Sequence, residues 1–129
     1  MKTGKTFLII LTLLILSSVS SAQDKRTLDT KIADLVSQFP ASSAGYLEKL
    51  MSEMTALGPE GLTVICSQIL PPGSGDDIKQ RFAVESYSRY LSRNKNETSR
   101  SEWEKICISF ATSASDNNVK DFFIKQLQL

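Results

Sequence analysis

The 129-residue sequence contains no histidine. That absence removes serine–histidine and cysteine–histidine nucleophilic catalysis, and every metal centre built on imidazole. Only two cysteines occur, Cys66 and Cys107, too few thiolates for a four-ligand structural zinc site. A charge excess is missing as well, with 15 basic against 14 acidic residues. A nucleic-acid binder concentrates a basic excess on one face, so no nucleic-acid partner is expected. The longest apolar run, Phe7 to Leu16, is broken by Thr12. It is shorter than the roughly 20 apolar residues of a membrane-spanning helix. Sustained heptads are absent, which argues against a coiled coil.

What the first residues do have is the layout of an export signal. Lys2 and Lys5 precede the apolar run, and Ser20-Ser21-Ala22 supplies small residues at a cleavage site. Residues 1–22 are therefore expected to be a signal peptide, with no stable membrane insertion after its cleavage. The absence of a cysteine beside that site argues against a lipid-anchored form. Residues 23–129 remain, 107 of the 129, enough for one small domain with a real core. Without Lys2 and Lys5 the basic count falls to 13 against 14 acidic, a net charge of −1. A periplasmic or secreted location follows from the signal. In such an oxidising compartment Cys66 and Cys107 can pair; their positions on helix core stripes equally suit two packed thiols.

Six helical segments with short breaks follow one another. Leu28, Ile32, Leu35, Val36 and Phe39 lie on one helix face, and Pro40 ends that helix. Ser42 or Ser43 can cap a second helix striped by Leu47, Leu50, Met51, Met54 and Leu57, which Gly58 terminates. A third opens at Pro59-Glu60 and carries Leu62, Ile65, Cys66, Ile69 and Leu70. Pro71-Pro72-Gly73-Ser74-Gly75 is a loop, after which Asp76-Asp77 start a fourth helix. Its predicted stripe is Ala83, Tyr87, Tyr90 and Leu91, with Ile78 and Phe82 one turn earlier. Arg89, Arg93 and Lys95 sit near its end, where they complement the helix macrodipole. A polar loop is predicted over residues 94–99, followed by a capping box, Ser101-Glu102-Trp103-Glu104. Trp103, Ile106, Cys107, Phe110, Ala111 and Ala114 stripe the fifth helix.

The sixth helix, capped by Ser115 or Asp116, carries apolar residues on nearly every side. A helix of that kind expects neighbours on more than one face, and the preceding chain supplies them for one. Phe122, Phe123, Ile124, Leu127 and Leu129 are therefore the candidate partner interface. The fold class expected is all-α: antiparallel helix pairs stacked as an open α-solenoid, with a closed helical bundle as the alternative.

Several stretches resemble exported HEAT-like repeat proteins of Bacteroidota bacteria. They are Ile32-Ala-Asp-Leu-Val-Ser-Gln-Phe-Pro-Ala, Tyr46-Leu-Glu-Lys-Leu-Met, Leu57-Gly-Pro-Glu-Gly-Leu, and the Pro71–Asp76 loop with Arg81-Phe82-Ala83. Val119-Lys-Asp-Phe-Phe-Ile-Lys-Gln-Leu-Gln-Leu129 is the most specific match, and resembles the opening of a first regular repeat. The resemblance spans residues 23–129 and rests on packing motifs. It implies a scaffold of stacked helix pairs without a catalytic residue set, whose array continues past the equivalent of Leu129.

Sharper chemistry finds no footing in the sequence. Ser74 between two glycines lacks the lysine and preceding strand of a phosphate loop. Asp76-Asp77 lacks the alternating oxygen ligands of a calcium loop, and helix capping accounts for the pair. Asn96-Glu97-Thr98 fits a glycosylation acceptor, which the bacterial character of the signal disfavours. Phe82, Tyr87, Tyr90 and Trp103 could line a ligand groove but fall on expected core stripes. Asp34, Glu48, Glu53 and Glu60 show no spacing that selects a carboxylate pair. The expectation is a non-catalytic exported scaffold needing no cofactor or metal, whose partner is a protein or further repeats of the same polypeptide. An accessory domain of a larger periplasmic enzyme, carbohydrate-active ones included, is the alternative, and a small ligand-binding bundle the third.

Overall fold

A computed structural model describes residues 27–129. The signal-peptide expectation for residues 1–22 lies outside the described residues. Five helices follow one another: α1 (Leu28–Ser37), α2 (Ala44–Ser67), α3 (Ile78–Arg93), α4 (Glu97–Ser113) and α5 (Asn117–Gln126). No strand occurs among the described residues, so the described part of the chain is all-α.

Local chemistry sets most of the boundaries. Thr27 caps α1 by accepting the Thr30 N–H at 3.3 Å. Ser43 caps α2 through the Tyr46 N–H at 3.2 Å, and Asp116 caps α5 through the amides of Asn118 and Val119. Each side-chain oxygen satisfies a donor that the first helical turn leaves without a partner. The two helices expected on either side of Gly58 form one element with a kink. Gly58 has φ 68°, ψ −177°, and Pro59 opens the second arm. A positive φ is sterically open to glycine, and a first-turn proline gives up an N–H that has no helical acceptor anyway. Gly61, one turn on, is buried against Leu57; an added Cβ there would lie 2.6 Å from the Leu57 Cβ.

Two expectations need correction. The predicted loop over residues 94–99 is shorter, because Asn96 caps α4 through the Ser99 N–H at 3.1 Å and the helix begins at Glu97. Ser101 therefore stands inside the helix, not at its start. Ile78 and Phe82 do not join the core stripe of α3 and are exposed. At 100° per residue, Phe82 lies about 140° around the helix from Tyr87. The buried face instead runs through Ala83, Val84, Tyr87, Ser88 and Leu91.

One continuous core joins the helices. α2 packs against α1, α3 and α4, while α3 touches all four other helices. Among the described helices, α5 rests on α4 and α3 alone. Tyr87 stands edge-on to Trp103 at 5.0 Å, a favoured aromatic geometry. The Trp103 indole N–H donates to Ser88 Oγ at 2.9 Å, so the buried polar group has its partner. Cys66 and Cys107 are free thiols, both fully buried in this core.

Candidate functional site

Three places could carry function: the outer face of α5, the loop before α3, and the groove between α2 and α3. The five residues expected to form an interface divide: Phe122, Phe123 and Ile124 lie on α5, while Leu127 and Leu129 follow its end. Phe123 is fully buried and stacks on Phe110 at 5.0 Å, so it belongs to the chain's own core. Phe122 is half-buried, edge-on to Phe123, with the Arg81 guanidinium 4.8 Å from its ring centre. Ile124, Leu127 and Leu129 face outward, 40%, 40% and 43% exposed. The buried line is Val119, Phe123 and Gln126, at i, i+4 and i+7, which turns Ile124 away from the core. Gln126 donates to the Phe122 carbonyl, while its own carbonyl oxygen finds no partner among the described residues.

The loop before α3 is fixed by Asp77, not by helix capping of the usual kind. The Asp77 side chain makes no cap bond to its own helix. It reaches back to accept the Leu70 N–H at 2.7 Å and both oxygens take the Arg81 Nε–H, at 3.0 and 2.9 Å. Arg81 in turn donates to the Leu70 carbonyl at 2.9 Å. Burial pushes the Asp77 carboxyl upward, but the Arg81 guanidinium and the Leu70 amide outweigh it and hold the pKa below the ordinary value of 3.8. Asp76 accepts the Ile78 N–H at 3.1 Å. Both aspartates thus serve the backbone, and Ser74 and Gly73 form the exposed tip of the turn between them and Leu70.

The carboxylates considered in sequence are scattered. Asp34 and Glu53 line one shallow groove with Lys31 and Lys49. Lys49 Nζ lies 3.7 Å from Glu53 Oε1, so Glu53 is paired with a lysine. Glu48 lines a different groove, and Glu60 is exposed on the second arm of α2. Among the described residues no group of three or more cysteine, aspartate or glutamate side chains could hold a metal ion. No described helix is long and apolar enough to cross a membrane.

Sequence reasoning missed the groove between the first arm of α2 and the second half of α3. Leu47, Glu48 and Met51 form one wall; Ser86, Arg89, Tyr90 and Arg93 form the other, with Lys95 at its end. Its volume is about 570 Å³. Of the four aromatics weighed as groove residues, Tyr87 and Trp103 are core and Phe82 lies elsewhere on the surface. Tyr90 alone enters, its ring stacked on Tyr87 at 6.2 Å. Arg89 is steadied by Glu85 at 2.8 Å. Arg93 and Lys95 have no ion-pair partner among the described residues. The available signal was an aromatic set among three cations at Arg89, Tyr90, Arg93 and Lys95; the α2 wall opposite them follows only from the tertiary fold. No protein-family model matches the chain, and neither a curated protein nor a solved structure matches it.

Proposed function

We propose that this chain is a non-catalytic, exported helical scaffold of the HEAT-like kind, in which stacked antiparallel helix pairs present α5 to a protein or to further helical repeats. The observation that carries the reading is the outer face of α5. Among the described helices it packs on α3 and α4 only, and Ile124, Leu127 and Leu129 stand outside the core. Ile124 in the last turn of α5, with Leu127 and Leu129 just past its end, offers a covering element three large apolar side chains, with burial worth about 1.5–3 kcal/mol for each. Lys120 and Lys125 flank the strip and give a protein partner a polar rim.

The test is a photoreactive residue placed at position 127 and, separately, at position 108 of α4, where Ile108 is exposed. The reading expects a defined protein crosslink from 127 in native cells, its loss in an Ile124→Asp background, and none from 108. Equal crosslinking from both positions, or a 127 crosslink indifferent to Ile124→Asp, refutes the docking face. Turnover of a substrate by the purified protein, abolished by a single carboxylate substitution, refutes the non-catalytic assignment.

A further inference from the structure

The groove between α2 and α3 is a second surface, independent of α5. It adjoins a neighbouring cleft of about 370 Å³, and the two share Leu47 and Ser86. The added stretch is lined by Pro40, Ala41, Ser43 and Ala44, small and uncharged side chains. The cationic side of this surface therefore offers Arg89, Arg93 and Lys95, and the other side offers a track of small, uncharged side chains. From the geometry we infer that it binds an extended peptide segment whose acidic residues meet Arg93 and Lys95 and whose small apolar residues follow the track toward Ala41.

Dimensions favour a chain over a single ion. Ser86 to Arg93 is seven residues of helix, about 10 Å at 1.5 Å per residue. That length takes roughly three residues of extended peptide at about 3.3 Å each. An isolated phosphate would leave Leu47, Met51 and the Tyr90 ring unused. A lipid tail would lie in an open trough, whereas small-molecule sites bury most of their ligand. A nucleic-acid strand would need the cations to continue along its path, and the track beyond Ser86 carries none.

Electrostatics fix the orientation. Arg89 Nε and Nη2 both donate to Glu85 Oε1, at 3.2 and 2.8 Å, so its guanidinium is held in place before a ligand arrives. Arg93 and Lys95 are the cations left to pair with a ligand. Glu48 stands on the opposite wall and repels an acidic side chain placed there. An extended peptide points successive side chains to opposite sides, so alternate acidic residues would face α3 while small neutral ones face Glu48.

The experiment is fluorescence anisotropy of a labelled peptide, Asp-Ala-Glu-Ala-Val-Ala, titrated with the purified protein. Saturable binding is expected, weakened at least tenfold by Arg93→Glu together with Lys95→Glu, and strengthened a few-fold by Glu48→Gln. A peptide with lysine in place of both acids should not bind. All three substituted residues are on the surface, and circular dichroism checks that each variant folds. No saturable binding, unchanged binding in the double variant, or equal binding of the lysine peptide overturns the inference. Displacement by inorganic phosphate at the concentration where sulfate and chloride of equal ionic strength do nothing would identify a plain phosphate site and overturn it too. Ile124→Asp should leave the peptide affinity untouched, which separates this result from the fate of the α5 reading.

Discussion

Raising the pH should destabilise this fold through its two buried thiols. Burial pushes the Cys107 thiol up to about 12, with Glu104 adding to the effect. Burial, and then the neighbouring Cys107, pushes Cys66 up as well. In the unfolded chain both titrate near their ordinary value of 9.0. A folded pKa raised above the unfolded one contributes stability that is complete below pH 9 and is lost as pH rises toward about 12. In that window the unfolded chain releases protons that the native chain keeps. Each thiol then shifts the folding equilibrium about tenfold per pH unit. At pH 10 the pair costs roughly 3 kcal/mol, a large part of the 5–15 kcal/mol that holds a typical domain together. The assay is urea unfolding at pH 8 and pH 10 under a phosphine reductant, comparing the wild type with Cys66→Ala/Cys107→Ala. The variant starts less stable at pH 8, since two buried side chains are trimmed, but its further loss at pH 10 should be smaller. Tyr87, whose pKa burial also raises, is common to both proteins and cancels in the difference. Parallel losses in the two proteins would refute the argument.

Thermal unfolding should separate the two neighbours on α5: Phe123→Ala empties a fully buried site and costs about 3–5 kcal/mol, while Ile124→Ala stays within about 0.5 kcal/mol. Asp77→Ala strands the Leu70 N–H and the Arg81 guanidinium, at a cost of about 2 kcal/mol. Faster hydrogen exchange at the Leu70 amide is the local readout. Because the folded pKa of Asp77 is depressed, the wild-type contribution is present above pH 3.8 and fades as pH falls below it; the variant should lack that acid limb. Gln126→Met removes a buried carbonyl oxygen without a partner, so chemical denaturation should show a gain of about 1 kcal/mol.

Boundaries set by one residue's covalent character were legible in the sequence. Pro40, Gly58 and Pro59 restrict or permit backbone angles by themselves, whatever surrounds them. The start of α4 was not legible from apolar spacing, because its first turn, Glu97 to Arg100, is polar and faces largely outward. Hydrophobic periodicity has nothing to register there. Two rival caps, Asn96 and Ser101, both fit local rules, and a helix extended by one more turn wins its extra backbone hydrogen bonds. Ile78 and Phe82 misled for the opposite reason. They are spaced as core residues relative to one another, and only the position of Tyr87 against Trp103 fixes which side of α3 turns inward.

The same limit governs the candidate sites. α5 is apolar on more than one face, so its pattern alone does not rank the faces; the Phe110–Phe123 stack shows which one turns to the core. Asp77 looked like a capping residue because a helix N-terminus follows it. Its carboxylate instead accepts from Leu70 and Arg81, one seven residues before it and one four after. That choice follows from burial: the Leu70 N–H to Asp77 bond is part-buried, and an unmet amide there costs more than one at an exposed helix start. The α2–α3 groove extends the point to function. Arg89, Arg93 and Lys95 complement the end of α3 in one dimension, yet Leu47, Met51 and Glu48 lie some forty residues away in sequence. A run of cations at a helix end is ordinary; what sequence spacing does not show is that Leu47, Glu48 and Met51 stand across from them, and the packing of α2 on α3 creates that opposition.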